Sequence, residues 1–279
     1  MKLLAKVLTI PVMLAMTGCG LLDSIHEKTV RSQLELRAAD HEAGDYFKAL
    51  VHAQNALALA NDNLGVEHML TVDSLLAAAE SYDRVHNTER AKKYYGFAVE
   101  IRQLTLGPEH PDTLDAMRLL TRFYVSSDPR HDEARQVAEE TLALRTKALG
   151  KTHRETIESM VDLAEVTKLQ RLPDQAEPIY LEAVALSEDV FGEDNVDTLR
   201  WRRELGFFFY GQGRYDDAER VYLETIERGM PSLGATHPIM IGFHEDLANV
   251  LQGQGRLAEA SGLRDRILTW RRAAKDPSR

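Results

Sequence analysis

Cysteine is nearly absent: Cys19 is the single one in 279 residues. An internal disulfide is thereby excluded, and so is a thiolate metal cluster. Aromatic residues make up only 7% of the chain against 44% hydrophobic overall, so a core has to be assembled from small aliphatic side chains. Positive charge is also in deficit. The 34 Lys and Arg against 44 Asp and Glu leave a formal charge of -10, the wrong sign for a surface that contacts nucleic-acid phosphates. Signatures of catalysis are missing too: there is no Gly-rich phosphate loop, no His-Glu-x-x-His zinc helix and no Gly-x-Ser-x-Gly elbow. The expectation is a protein that is not an enzyme, with no metal and no small-molecule cofactor.

What is present begins with an address. Met1-Lys2 and Lys6 give a positive start, and Leu3 to Met16 is otherwise mostly apolar but too short for a comfortable membrane span. The stretch ends in LAMTGC, residues 14 to 19, which resembles the bacterial lipoprotein signal. That resemblance implies a signal peptide over 1–18 and lipidation of Cys19, with several acyl groups anchoring the chain to a membrane. Gly20 stands where an Asp would imply retention in the inner membrane. The implied location is the cell envelope, at the outer membrane facing the periplasm if the cell is Gram-negative. Loss of residues 1 to 18 removes Lys2 and Lys6 and no acid, leaving -12. An ordinary secretory signal or an inner-membrane anchor is the alternative. Residues 19–27 are expected to form a short tether, with a reach of at most about 28 Å if extended.

Beyond the tether the chain repeats itself. LGVEHMLTV starts at residue 64, LGPEHPDTL at 106, LGKTHRETI at 149, FGEDNVDTL at 191 and LGATHPIMI at 233. A second series, Ala49, Ala91, Ala134, Ala176, Ala218 and Ala260, keeps the same 42-residue step with one step of 43. The extra residue falls most economically in the turn near 126–130. After each alanine, small or apolar residues recur at offsets of 4, 7 and 8, as in Ala176, Tyr180, Ala183 and Val184, which places one stripe on one helical face. The glycine of each Leu-Gly pair ends that helix, and the residues after it open the next. Each unit is thus two helices, and a period of this length means a solenoid. The recurring His68, His110, His153 and His237, with Asn195 in the fourth copy, are turn residues; successive copies lie roughly 10 Å apart by helix packing, too far to share a metal. His41, His52, His86, His131 and His244 fall at scattered positions and read as solvated.

GRYDDAERVYLETI followed by LGATHP resembles the tetratricopeptide repeat, in the 42-residue form of kinesin light chains. The resemblance implies an all-α fold: a right-handed α-solenoid of about six antiparallel helix hairpins, the TPR superhelix. Residues 28–65 form a degenerate first hairpin, with Arg37 where the family has a small residue. Residues 66–270 form the repeat array, and 271–279 a basic tail able to meet anionic lipid or simply to cap the stack. Arg264 replaces the tyrosine of its column, so the stack should end there.

Such a fold offers a concave groove. Registered on the family pattern, its first helices contribute Asp73, Glu80, Asp115, Arg118, Arg122, Glu158, Asp162, Glu165, Arg200, Arg203, Glu204, Phe207, Glu245, Asp246 and Asn249, nine acids against four arginines. The family's asparagine column here reads Ala77, Leu119, Asp162, Glu204 and Asp246, so its carboxylate clamp is not carried over. The groove is expected to take a protein or peptide, with acids selecting basic or amide-rich segments and Phe207 with Tyr210 as an apolar anchor; Phe208 and Phe209 belong to the core. The competing reading is a solvated face with local pairs such as Arg200 to Glu204. For function, the expectation is a lipid-anchored scaffold or adaptor that aids assembly of an envelope complex. The alternative is a ligand-sensing or catalytic lipoprotein with a pocket inside the solenoid.

Overall fold

The computed structural model describes residues 20–127 and 131–275, and they fold as helices and turns alone. Cys19, the proposed signal over 1–18, residues 128–130 of the proposed insertion and the last four residues lie outside the described residues. The chain forms two compact units, the first ending at Val85 and the second beginning at His86.

The first unit holds α1 (Gly20–Glu42), α2 (Tyr46–Asn63) and α3 (Met69–Arg84). α1 packs on both α2 and α3. It runs through the stretch expected to be a tether, residues 20–27. Eight helical residues rise only about 12 Å, less than half the extended reach. Arg37 is accommodated by polar contacts: its Nε donates to Ser81 Oγ (3.2 Å) and its Nη2 to Glu80 Oε2 (2.5 Å).

The second unit holds α4 (Thr88–Leu106), α5 (Pro111–Ser127), α6 (His131–Leu149), α7 (Arg154–Leu169), α8 (Pro173–Phe191), α9 (Val196–Gly211), α10 (Tyr215–Leu233), α11 (Pro238–Gly253) and α12 (Leu257–Lys275). Each helix packs on its neighbour in sequence. The first helices of successive hairpins also touch, α5 on α7, α7 on α9 and α9 on α11. The alanine series is the seam: Ala91, Ala134, Ala176 and Ala218 are fully buried and Ala260 nearly so. Where a tyrosine follows one turn later, Tyr95, Tyr180 and Tyr222 are buried beside it, whereas Arg264 at the end of the column is exposed. At Gly206 the helices meet so closely that an added Cβ would lie 2.5 Å from Cζ of Tyr222.

Caps set the register. Gly107, Gly150, Gly192 and Gly234 all adopt positive φ after their helices, a conformation costly to residues with a Cβ. The residue that opens the next helix is the recurring histidine itself. Nδ1 of His153 accepts from Glu155 N (3.3 Å), Nδ1 of His237 from Ile239 N (3.3 Å) and Nδ1 of His110 from Asp112 N (3.2 Å); Asn195 Oδ1 does the same for Asp197 N (2.9 Å). Here a ring nitrogen does the work usually done by Ser, Thr, Asp or Asn. Between the helices of a hairpin, Gly213 and Gly255 take positive φ, and Arg171 is forced into the same left-handed conformation at φ 61°. His244, expected to be solvated, is instead buried: Nδ1 donates to Met240 O (2.7 Å) and the ring stacks edge-on against Trp270, 4.6 Å between centroids. Position 244 falls on the buried side of α11, next to Phe243, and an apolar lid from α12 covers it.

Candidate binding face

The face shared by α5, α7, α9 and α11 carries the expected groove residues from Asp115 to Asn249, organised by an interhelical ladder, while Asp73 and Glu80 lie on α3 in the first unit. Arg118 on α5 donates from Nε to Asp162 Oδ2 on α7 (2.6 Å) and its Nη2 lies 2.7 Å from Glu158 Oε1. Arg203 on α9 donates from Nε to Asp246 Oδ2 on α11 (2.5 Å) and from Nη2 to Oδ1 (3.3 Å). Gly242 leaves room for that guanidinium, since a Cβ there would stand 3.3 Å from Cζ of Arg203. Arg154 at the start of α7 chelates Asp197 at the start of α9 through 2.6 and 3.0 Å bonds. Each pair spans 43 or 44 residues, one repeat plus one or two positions. Arg200 instead makes a local pair within α9, 3.5 Å from Asp197 rather than with Glu204.

The pairs differ in how the protein treats their charge. The Arg154 guanidinium holds the Asp197 carboxyl below the ordinary carboxylate range, because that hydrogen bond outweighs burial. Asp162 and Asp246 go the other way: burial pushes both up, against the pull of Arg118 and Arg203. Arg122 is exposed, and its charge acts on Asp162 without a direct bond.

Between the two ladders lies a more acidic place. Glu165 Oε2 accepts from Tyr180 (2.7 Å) and from Lys168 Nζ (2.6 Å). Glu204, one hairpin on, makes no ion pair among the described residues; burial and then the charge of Glu165 push its carboxyl up. One turn further along α9, Phe207 is 36% and Tyr210 38% exposed, while Phe208 and Phe209 between them are buried. Arg203 lies over the Phe207 ring at 5.1 Å, and Tyr222 meets that ring edge-on at 6.4 Å. Tyr210 packs against Tyr215. At the far end Asn249 Oδ1 accepts from Arg264 Nη2 (3.2 Å).

A rule connects these contacts. The second helix sends the residue four after its alanine toward the last groove position of its own first helix: Tyr180 to Glu165, Tyr222 to Phe207, Arg264 to Asn249. No group of three or more His, Cys, Asp and Glu gathers as a metal site among the described residues. No helix among them is long and apolar enough to cross a membrane.

Family models for the tetratricopeptide repeat match residues 71–112, 129–189 and 161–229, together just over half of the chain. The chain is a tetratricopeptide-repeat protein. The architecture is that of a protein–protein interaction scaffold. Among solved structures, this repeat protein is similar to the TPR-like repeats of a Podosopora anserina protein assigned as a kinesin light chain, at TM-score 0.63 and 22% identity over 74% of this chain and 97% of that one. It is similar as well to BtubC (BKLC) from P. vanneervenii, at TM-score 0.61 and 18% identity over 90% and 92%. A Rap protein complexed with competence and sporulation factor aligns at TM-score 0.55 and 13% identity over 93% and 77%. At these identities the likeness is one of fold. No curated protein matches the chain.

Proposed function

We propose that this repeat protein is a non-catalytic adaptor that holds a protein or peptide segment along the face of α7, α9 and α11, at the bacterial cell envelope, tethered through lipid on Cys19. The observation that carries the binding reading is the pair Phe207 and Tyr210. Two aromatic rings one turn apart stand partly exposed on a face whose neighbouring charges are mostly tied up between helices. Large aromatic rings of this kind, ringed by polar groups, are where binding energy concentrates at interfaces. The repeat neighbour solved with a competence and sporulation factor supports use of the fold for ligand capture. The case against an enzyme rests on the general character of the fold and on polar groups of this face committed to pairs between helices.

The envelope address rests on the LAMTGC stretch and Gly20. Multiple acyl chains would make that attachment stable where one is marginal. Two experiments test the proposal. Affinity purification from the cell envelope should lose its specific partners when Phe207→Ala and Tyr210→Ala are combined; an unchanged partner set would overturn the binding reading. Cys19→Ser should move the protein from the membrane to the soluble fraction, and continued membrane association would overturn the lipid address.

A further inference from the structure

The Glu165–Glu204 step carries surplus negative charge. Arg118 serves Glu158 and Asp162, Arg203 serves Asp246, and Lys168 serves Glu165, so Glu204 is left over. Glu204 is partly buried and faces the charge of Glu165 across the α7–α9 contact. A second observation points to the same place. Tyr222 is fully buried and its hydroxyl has no hydrogen-bond partner. One hairpin earlier the equivalent Tyr180 is satisfied by Glu165, but the acceptor's position opposite Tyr222 is occupied by Phe207. The charges of Asp246, Arg203 and Glu204 all act on that orphan hydroxyl. A buried donor left without an acceptor is costly, and here the tyrosine packs against the partly exposed ring of Phe207.

We infer that this place is a subsite for an arginine or lysine of an incoming peptide segment. The cationic head meets Glu204 and Glu165, Phe207 turns off Tyr222, the aliphatic stem lies along the turned ring, and a main-chain carbonyl beside it accepts from Tyr222. The inference rests on the binding reading above and narrows it to basic partners. Charge complementarity is the argument. A cation supplies what Glu204 lacks in the free protein, and the partly desolvated site strengthens the attraction. Acidic segments are disfavoured by the same two carboxylates.

The test uses a random-peptide phage library selected on the purified protein, with selected peptides resynthesised bearing a fluorescent label. The expected result is enrichment of sequences with a fixed Arg or Lys next to an apolar residue. Replacing that arginine by citrulline should weaken binding roughly tenfold, as should Glu204→Gln, in keeping with loss of one charge-assisted hydrogen bond. Tyr222→Phe, which removes the unpaired hydroxyl and should leave the fold at least as stable, should weaken binding as well. Glu204→Gln preserves side-chain volume, and the citrulline arm leaves the protein untouched, so a folding defect cannot mimic the result. Peptides that are lost on combining Phe207→Ala with Tyr210→Ala, yet ignore citrulline and Glu204→Gln, would overturn the cation subsite and leave the groove intact. Selected peptides insensitive to all of these changes would overturn both.

Discussion

Gly206→Ala tests how the two helices of a hairpin interlock. A Cβ at 206 would stand 2.5 Å from Cζ and 2.9 Å from the hydroxyl of Tyr222, while a comfortable contact between carbons is about 3.5–4.0 Å. Tyr222 is fully buried, with Phe207 edge-on at 6.4 Å and Phe243 at 6.2 Å, so the ring has little freedom to retreat. Overpacking of this kind costs about 1–3 kcal/mol. Alanine should recover about 1 kcal/mol over glycine from helix propensity. Gly96 supplies the control: it is also mid-helix, and a Cβ there meets nothing within 4 Å. Gly96→Ala should therefore stabilise by roughly the propensity gain alone. Thermal unfolding followed by far-ultraviolet circular dichroism should place Gly206→Ala below Gly96→Ala by the overpacking cost, at about 2–4 °C for each kcal/mol. Adding Tyr222→Leu should remove most of the penalty. If Gly206→Ala raises the melting temperature as much as Gly96→Ala does, the close α9–α10 seam is wrong.

Three further expectations follow from caps, turns and buried charge. His153→Ala should cost about 1 kcal/mol in urea denaturation by leaving Glu155 N without its acceptor, whereas His153→Asn should be close to neutral because Asn195 performs the same duty. Arg171→Gly should stabilise by about 1 kcal/mol, since a left-handed residue with a Cβ is strained there, and equal stability in the same denaturation would refute that strain. Glu204→Gln should raise the melting temperature at neutral pH. Its folded carboxyl is pushed above the ordinary 4.5, so its favourable contribution is present below that value and is lost as pH rises through the folded pKa. The advantage of glutamine should therefore shrink as pH falls toward 4.5 and below, and an advantage that grew on acidification would contradict the burial.

The fold was legible because each repeat must solve one packing problem with the same parts. An alanine at the closest approach and a glycine after each second helix recur every 42 or 43 residues, and their positions alone locate the helices. The same logic located the aromatic pair, since residues 207 and 210 share a face while 208 and 209 turn inward. What escaped was chemistry between units. Arg118 to Asp162 and Arg203 to Asp246 are separated by a repeat and one or two more residues, which follows from how first helices abut and not from any pattern within a helix. A search for Arg followed by an acid at that spacing would have found them. The histidine caps were hidden because a ring nitrogen is an unusual first-turn acceptor, although the Asn195 substitution hinted at it. The burial of His244 depended on Trp270 from the next helix, and the helical start at Gly20 on continuity with α1.

Photo-crosslinking in the native cells bears most directly on the claim that partners dock on this face. Benzoylphenylalanine placed at Tyr210 should capture a discrete partner, while the same group at Leu181 or Leu223, exposed on the second helices α8 and α10, should not. Capture from the second-helix positions with none from Tyr210 would contradict it.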